Sequence, residues 1–148
     1  MADAAPPDPP LDHGLLPTLI GYALRRAHGR VFQDFAGSVG RDGITPGLFG
    51  VLVLIAGNPG LNQSRLSEAL GVDRSTVVGV IDRLQRRGLV KRTPSPTDRR
   101  AYALELSDDG HAALTDLTQA VAAHEANIAR RLSPDERVQL IALLRKLG

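Results

Sequence analysis

The sequence predicts a mainly α-helical chain with a small β-wing, on three observations. Aromatic residues make up only 3% of the 148 residues and Trp is absent. A core must therefore be built from Leu, Val, Ile and Ala, which suits helix packing better than a β-sandwich. Residues 61–107 then run in a fixed order: two short helical patterns joined by Gly71, an apolar strand, a basic Pro-rich tip and a second strand. Finally, long apolar stripes lie at both ends of the chain, and that middle stretch offers them no partner. Together these describe a winged helix-turn-helix core inserted between N- and C-terminal dimerisation helices. The expected division is a flexible leader at 1–14, a helical dimerisation region at 15–43 and 108–148, and the winged helix-turn-helix at 44–107.

Charge and composition narrow the function. The 61–107 stretch carries 9 Lys/Arg against 5 Asp/Glu, while the rest carries 9 against 11. A local basic stripe is the electrostatic footprint of nucleic-acid binding. The absence of cysteine excludes disulfides, Cys-ligated zinc and thiol redox sensing. The four histidines, 13, 28, 111 and 124, are scattered without metal-ligand spacing, so no metal or other cofactor is expected. No apolar run reaches the roughly 18–20 residues that span a bilayer, and MADAAPPDPP lacks the features of a signal peptide. The expectation is a cytoplasmic protein without membrane contact. No G-x-S-x-G, Walker A, G-x-G-x-x-G or H-E-x-x-H motif is present, so an enzyme is not expected.

The elements follow in order. Leu16, Ile20, Leu24, Ala27, Val31 and Phe35 recur at helical spacing, predicting a first helix from Leu16 to about Val39 with Pro17 in its first turn. Thr45-Pro46 reads as a cap and first position for a helix apolar on almost every side, hence buried. Asn58-Pro59-Gly60 ends it. Asn62 caps a short helix that Gly71 closes, and Asp73 caps the next, whose apolar face is Val77, Val80, Ile81 and Leu84. Leu89 and Val90 begin one strand. In the other, Tyr102, Leu104 and Leu106 alternate with Ala103 and Glu105, a half-buried pattern. Ser107 with Asp108 and Asp109 starts a long helix with Leu114, Leu117, Val121, His124 and Ile128 inward. Ser133-Pro134-Asp135-Glu136 is a capping box for the last helix, striped by Val138, Ile141, Leu144 and Leu147.

The helix from Asp73 is the one expected to enter the major groove, reading bases from its N-terminal end. With Val77, Ile81 and Leu84 inward, Arg74, Ser75, Thr76, Val78 and Gly79 face out. Arg74 suits a bidentate contact to guanine, Ser75 and Thr76 suit a base or a phosphate, and Val78 suits a thymine methyl. The plainer alternative is that Ser75 and Thr76 only complete the helix cap. Few direct base contacts are expected. Arg83, Arg86, Arg87, Lys91 and Arg92 are candidate phosphate contacts, Arg65 is a further candidate DNA contact, and Arg87 or Arg92 has the alternative of pairing with Asp82 or Asp98.

The run Asp98-Arg99-Arg100-Ala101-Tyr102-Ala103-Leu104-Glu105-Leu106-Ser107 resembles the D-x-R-x5-L-T wing signature of the multiple-antibiotic-resistance regulator (MarR) family, with Ser for the usual Thr. The preceding LSEALGVDRSTVVGVIDRLQRRGLVKR resembles that family's helix-turn-helix. The resemblance implies a homodimeric regulator that binds a palindromic operator in double-stranded DNA, usually a repressor released by a small molecule, commonly an aromatic acid or related compound. It also implies that Arg100 reaches the minor groove, with Asp98 orienting the tip and Arg99 beside it. The local alternative is an Asp98–Arg100 clasp. Effector pockets in the family sit between the dimerisation helices and the winged core. Tyr22, Arg26, His28 and Phe32 on the first helix, Phe49 on the second and His111 on the fifth are the candidates, an arginine beside an apolar wall being what an anionic ligand needs. A winged helix that binds protein without specific DNA binding is the rival class.

Overall fold

The computed structural model describes residues 11–40, 43–94 and 102–147. Side chains at the helix starts set most element boundaries. A 3-10 turn at Leu16–Thr18 precedes α1 (Ile20–Ser38), and α2 (Pro46–Gly57) begins where the Thr45 hydroxyl accepts from Leu48 N. Asn62 caps α3 (Gln63–Leu70) and Asp73 caps α4 (Arg74–Arg86), each side chain accepting a backbone N–H three residues on. Between them Gly71 takes the left-handed conformation at φ 63°, which closes α3 and lets the chain turn within three residues. Strands β1 (Val90–Pro94) and β2 (Tyr102–Leu106) form an antiparallel wing in which Val90 pairs with Leu106 and Pro94 with Tyr102. Ser107 caps α5 (Asp108–Ile128), and a complete capping box starts α6 (Pro134–Leu144). The mainly helical fold with one small wing matches the expectation.

The core lies within the winged unit. Leu48, Leu52, Leu66, Ile81, Leu84 and Leu104 are all but inaccessible to solvent, bringing α2, α3, α4 and β2 onto one apolar centre, with Phe35 and Val39 of α1 closing one side. Burying a Leu or Ile side chain contributes about 1.5–3 kcal/mol, so this aliphatic cluster supplies the stability that aromatics would supply elsewhere.

Three local expectations are corrected, and the terminal stripes stay open within one chain. Pro17 starts the 3-10 turn, not α1; Leu19 is extended (ψ 125°), so the α-helix begins only at Ile20. Helix α2 is not buried all round, because Val53 is 43% exposed. In β2, Tyr102 is exposed while Ala103 is buried. The reason is that β2 is flanked on both edges: β1 pairs with one, and Leu104 N donates to Leu61 O on the other, at 2.8 Å. Tyr102 at the strand end and Glu105 stay exposed. Lastly, the stripes of α1 and α6 remain largely uncovered within one chain: Ile20 is 65% and Val138 69% exposed, and no residue of α6 is buried.

The junction between wing and α5 is closely packed. Ser107 Oγ donates to Gly88 O and accepts from Gly110 N (3.0 Å), while Ser107 N donates to Leu89 O at 3.1 Å. Gly110 is buried there, and a Cβ on it would lie 2.0 Å from Leu89 O. Gly110→Ala is therefore expected to destabilise the protein by about 1–3 kcal/mol, the range for overpacking a filled site. A urea denaturation midpoint unchanged from the wild type would contradict this close packing.

Candidate nucleic-acid interface

Helix α4 presents one face to solvent, built by the spacing of its buried residues. With Val77, Ile81 and Leu84 inward, a turn of about 100° per residue places Ser75, Gly79, Arg83 and Arg86 along the opposite side. All four are exposed. Arg74 and Thr76 are exposed on its flanks. Val78 is half-buried, so it does not face fully outward as expected: at one residue past Val77 it sits on the shoulder of the packed face. Gly79 lies at the centre of the outward face, with no atom within 4 Å of where a Cβ would be. At this point the helix backbone can approach a partner closely.

Asp73 organises the helix start. Its Oδ1 accepts from Thr76 N at 2.9 Å and from the Ser75 hydroxyl, and its Oδ2 accepts from Thr76 Oγ1 at 2.6 Å. The plainer alternative for Ser75 and Thr76 therefore describes their own-chain bonding: each hydroxyl hydrogen points to Asp73. What each hydroxyl keeps for a partner is acceptor capacity. The same bonds, led by those from Ser75 and Thr76, hold the Asp73 carboxyl well below the usual carboxylate range.

The cations divide into two groups. Arg92 lies 2.6 Å from Asp82 and also donates to Gln85. This is the pairing foreseen for it, and it ties β1 of the wing to α4. Arg65, Arg74, Arg83, Arg86, Arg87 and Lys91 are exposed, and none of the ion pairs among the described residues includes them. Thr93 donates to Glu105 across the wing at 3.1 Å, beside the Lys91–Glu105 register pair. The wing-tip assignments, Asp98, Arg99 and Arg100, lie outside the described residues.

The candidate effector residues do not form one site within the chain. Tyr22 and Arg26 associate with each other, the guanidinium 5.7 Å from the ring centre, whereas His28 stacks on Phe32 at 6.1 Å. The six residues from Tyr22 to His28 rotate the helix by roughly 240° beyond a full turn, which puts the two pairs on different faces. Phe32 borders a cavity of about 210 Å³ with Ile44, Thr45 and Pro46, between α1 and the start of α2. His28 lines a different one, between α1, α5 and α6. Phe49 packs against the main core, and His111 is exposed at the start of α5.

A polar junction between α1 and α5 was not foreseen. Asp34 accepts from His124 Nδ1 and from Asn127 Nδ2, both at 2.6 Å, and the buried His124 ring meets Phe35 edge-on at 5.3 Å. The only sequence hint was a polar residue inside an apolar stripe. Its partner stands 90 residues away.

Comparison with known proteins agrees with this geometry. A MarR family model matches residues 42–101. The chain is 44% identical over 138 residues to a protein of Thauera aromatica described as a candidate transcriptional regulatory protein for the hcr operon, covering 93% of this chain and 83% of that one. It superimposes on the transcriptional repressor CouR bound to a 23-mer DNA duplex with a TM-score of 0.89 and 41% identity, covering 94% of this chain and 99% of that one. It also matches CouR bound to p-coumaroyl-CoA, with a TM-score of 0.84, 40% identity, and 93% and 97% coverage.

Because the Asp73 carboxyl is held low, its capping contribution is fully present above its ordinary value of 3.8 and is lost as pH falls below it. Asp73→Asn keeps a capping oxygen but no charge. The stability gap between wild type and Asp73→Asn, measured by urea denaturation, is expected to narrow steadily as pH falls below about 4. A gap that stays constant down to pH 2 would contradict the charge-dependent clasp.

Proposed function

Since the chain belongs to the MarR family of transcription regulators, we propose that it is a repressor that binds a palindromic operator in double-stranded DNA as a homodimer and is released by a small effector. The observation that carries the reading is the exposed face of α4. It is rimmed by cations that no ion pair among the described residues engages, and it stands beside a basic wing. DNA-bound CouR, which shares this fold, supports it.

The roles divide by chemistry. Arg74, at the N-terminal end of α4, is the base reader, suited to guanine O6 and N7. Ser75 and Thr76, whose hydrogens already serve Asp73, accept from base amino groups. Gly79 lets the backbone sit deep in the groove, with Val78 near a thymine methyl. Arg65, Arg83, Arg86 and Lys91 grip phosphates. Arg92 contributes by holding the wing to α4, and Arg100, with Asp98 and Arg99, belongs to the minor-groove tip on the strength of its signature. The effector is an aromatic acid or its thioester, as the CouR complex with p-coumaroyl-CoA suggests by likeness.

The test is a salt titration of binding to the duplex upstream of the protein's own gene. Arg86→Ala is expected to weaken binding to all sequences alike and lower the salt slope by about 1, whereas Arg74→Ala should cost about 1–3 kcal/mol and relax preference at one base position. Sequence-independent wild-type binding would sink the repressor reading and leave a protein-binding winged helix.

The uncovered stripes support the homodimer. Ile20, Leu24, Leu140, Leu143, Leu144 and Leu147 form one apolar surface across α1 and α6, and a second copy would cover it by symmetry. Leu144→Asp is expected to elute as a monomer in size exclusion and to lose operator binding with its circular dichroism retained. A dimeric Leu144→Asp would move the interface elsewhere.

A further inference from the structure

A capping side chain needs only one oxygen to serve its helix. Thr45, Asn62, Ser107 and Ser133 each cap with a single accepted N–H, whereas Asp73 holds three hydrogens. Its Oδ1 takes Thr76 N at 2.9 Å and the Ser75 hydroxyl, and its Oδ2 takes the Thr76 hydroxyl at 2.6 Å. Ser75 and Thr76 are exposed in the first turn of α4, the end from which a helix of this kind reads bases. A hydroxyl has one hydrogen and two lone pairs. A bond from it to an ionised carboxylate is roughly twice as strong as one to a neutral acceptor. The Asp73 carboxyl stays ionised, because these same bonds hold it well below the usual carboxylate range. Turning a hydroxyl hydrogen outward to a phosphate would leave that carboxylate short of a donor beside a second anion. Both hydrogens therefore stay with Asp73, and each hydroxyl meets a partner through lone pairs alone.

That polarity sorts what the two hydroxyls can contact. Phosphate oxygens only accept, so neither hydroxyl grips the backbone. In the major groove, guanine O6 and N7 and thymine O4 also accept and would face lone pair against lone pair. Adenine N6 and cytosine N4 are the amino groups that donate there. A serine or threonine whose hydroxyl turns freely bonds either kind; these two are restricted to one. We propose that Asp73 is a positioning residue for base specificity: it fixes the Ser75 and Thr76 hydroxyls as acceptors and so makes α4 select bases that present an amino group. Asp73 itself need touch no base. The proposal rests on the reading of α4 as the major-groove helix of a repressor. Asparagine at this position would keep an oxygen for Thr76 N but turn an amide N–H toward a hydroxyl oxygen. A hydroxyl hydrogen would then be free to point outward, and the polarity would reverse.

The test is competition binding of the full chain to the duplex upstream of its own gene, with every base pair of the bound site replaced in turn. A second series puts 2-aminopurine, which pairs with thymine but has no amino group in the major groove, at each adenine. At one or two positions the wild type is expected to favour adenine or cytosine over guanine or thymine by about tenfold. Where adenine is favoured, 2-aminopurine should cost a similar factor. Asp73→Asn is expected to lose or invert this preference and to tolerate 2-aminopurine there, while the position that Arg74→Ala relaxes keeps its own preference. Ser75→Ala with Thr76→Val should erase the preference at the same positions. Should Asp73→Asn fail to fold, the hydroxyl variants and the 2-aminopurine series on the wild type decide. An Asp73→Asn profile identical to the wild type would overturn the proposal. So would a wild type that favours guanine or thymine where the hydroxyl variants act. A preference that survives loss of both hydroxyls would give the reading to the carboxylate itself and overturn it too. A wild type that binds all sequences alike would instead overturn the repressor reading, whatever Asp73 does.

Discussion

The rest of the structure depends on the weld between the wing and α5. Ser107 is at once the residue after β2, the cap of α5 and the hydrogen-bond partner of Gly88 and Leu89. Gly110 brings the first turn of α5 against the Leu89 carbonyl, at a distance only glycine permits. No flexible linker separates the helix that leaves the winged unit from the turn that ends α4. Motion of α5 is therefore delivered to the base of α4 and not absorbed between them. Packed junctions of this kind are bistable and do not deform continuously.

At the other end of α5, the Asp34–His124–Asn127 junction fixes the helix against α1. A buried imidazole against a carboxylate is directional, unlike the aliphatic contacts around it, so it sets where along α1 the two helices meet. In a dimer, that arrangement governs the separation of two α4 helices, which must be about 34–36 Å to meet successive major-groove turns.

Local chemistry made much of the fold legible. Thr45, Asn62, Asp73, Ser107 and Ser133 each cap the helix expected of them, and Gly71 turns where a left-handed residue was required. These signals act over three or four residues, so sequence carries them whole. The candidate site was legible to a different depth. The outward position of Arg74, Ser75 and Thr76 followed from helical spacing, but Val78 did not reach the exposed face, and the bonding of both hydroxyls to Asp73 needed coordinates to decide between two readings.

What the sequence determined by itself was therefore the set of elements, their order and their caps, together with the basic character of the wing region. Each arises from neighbours along the chain: a capping oxygen within reach of the third N–H, a glycine at positive φ, a repeat of three to four residues. Tertiary structure decided which polar residues meet. It joined Asp34 to His124 across 90 residues and gave Arg92 of the wing to Asp82 of α4. The first depends on how α1 packs on α5 and the second on how the wing packs on α4, and both packings are set by burial of the aliphatic core with Phe35 and Val39. Burial is non-directional and acts over the whole fold, so no local run of residues records it.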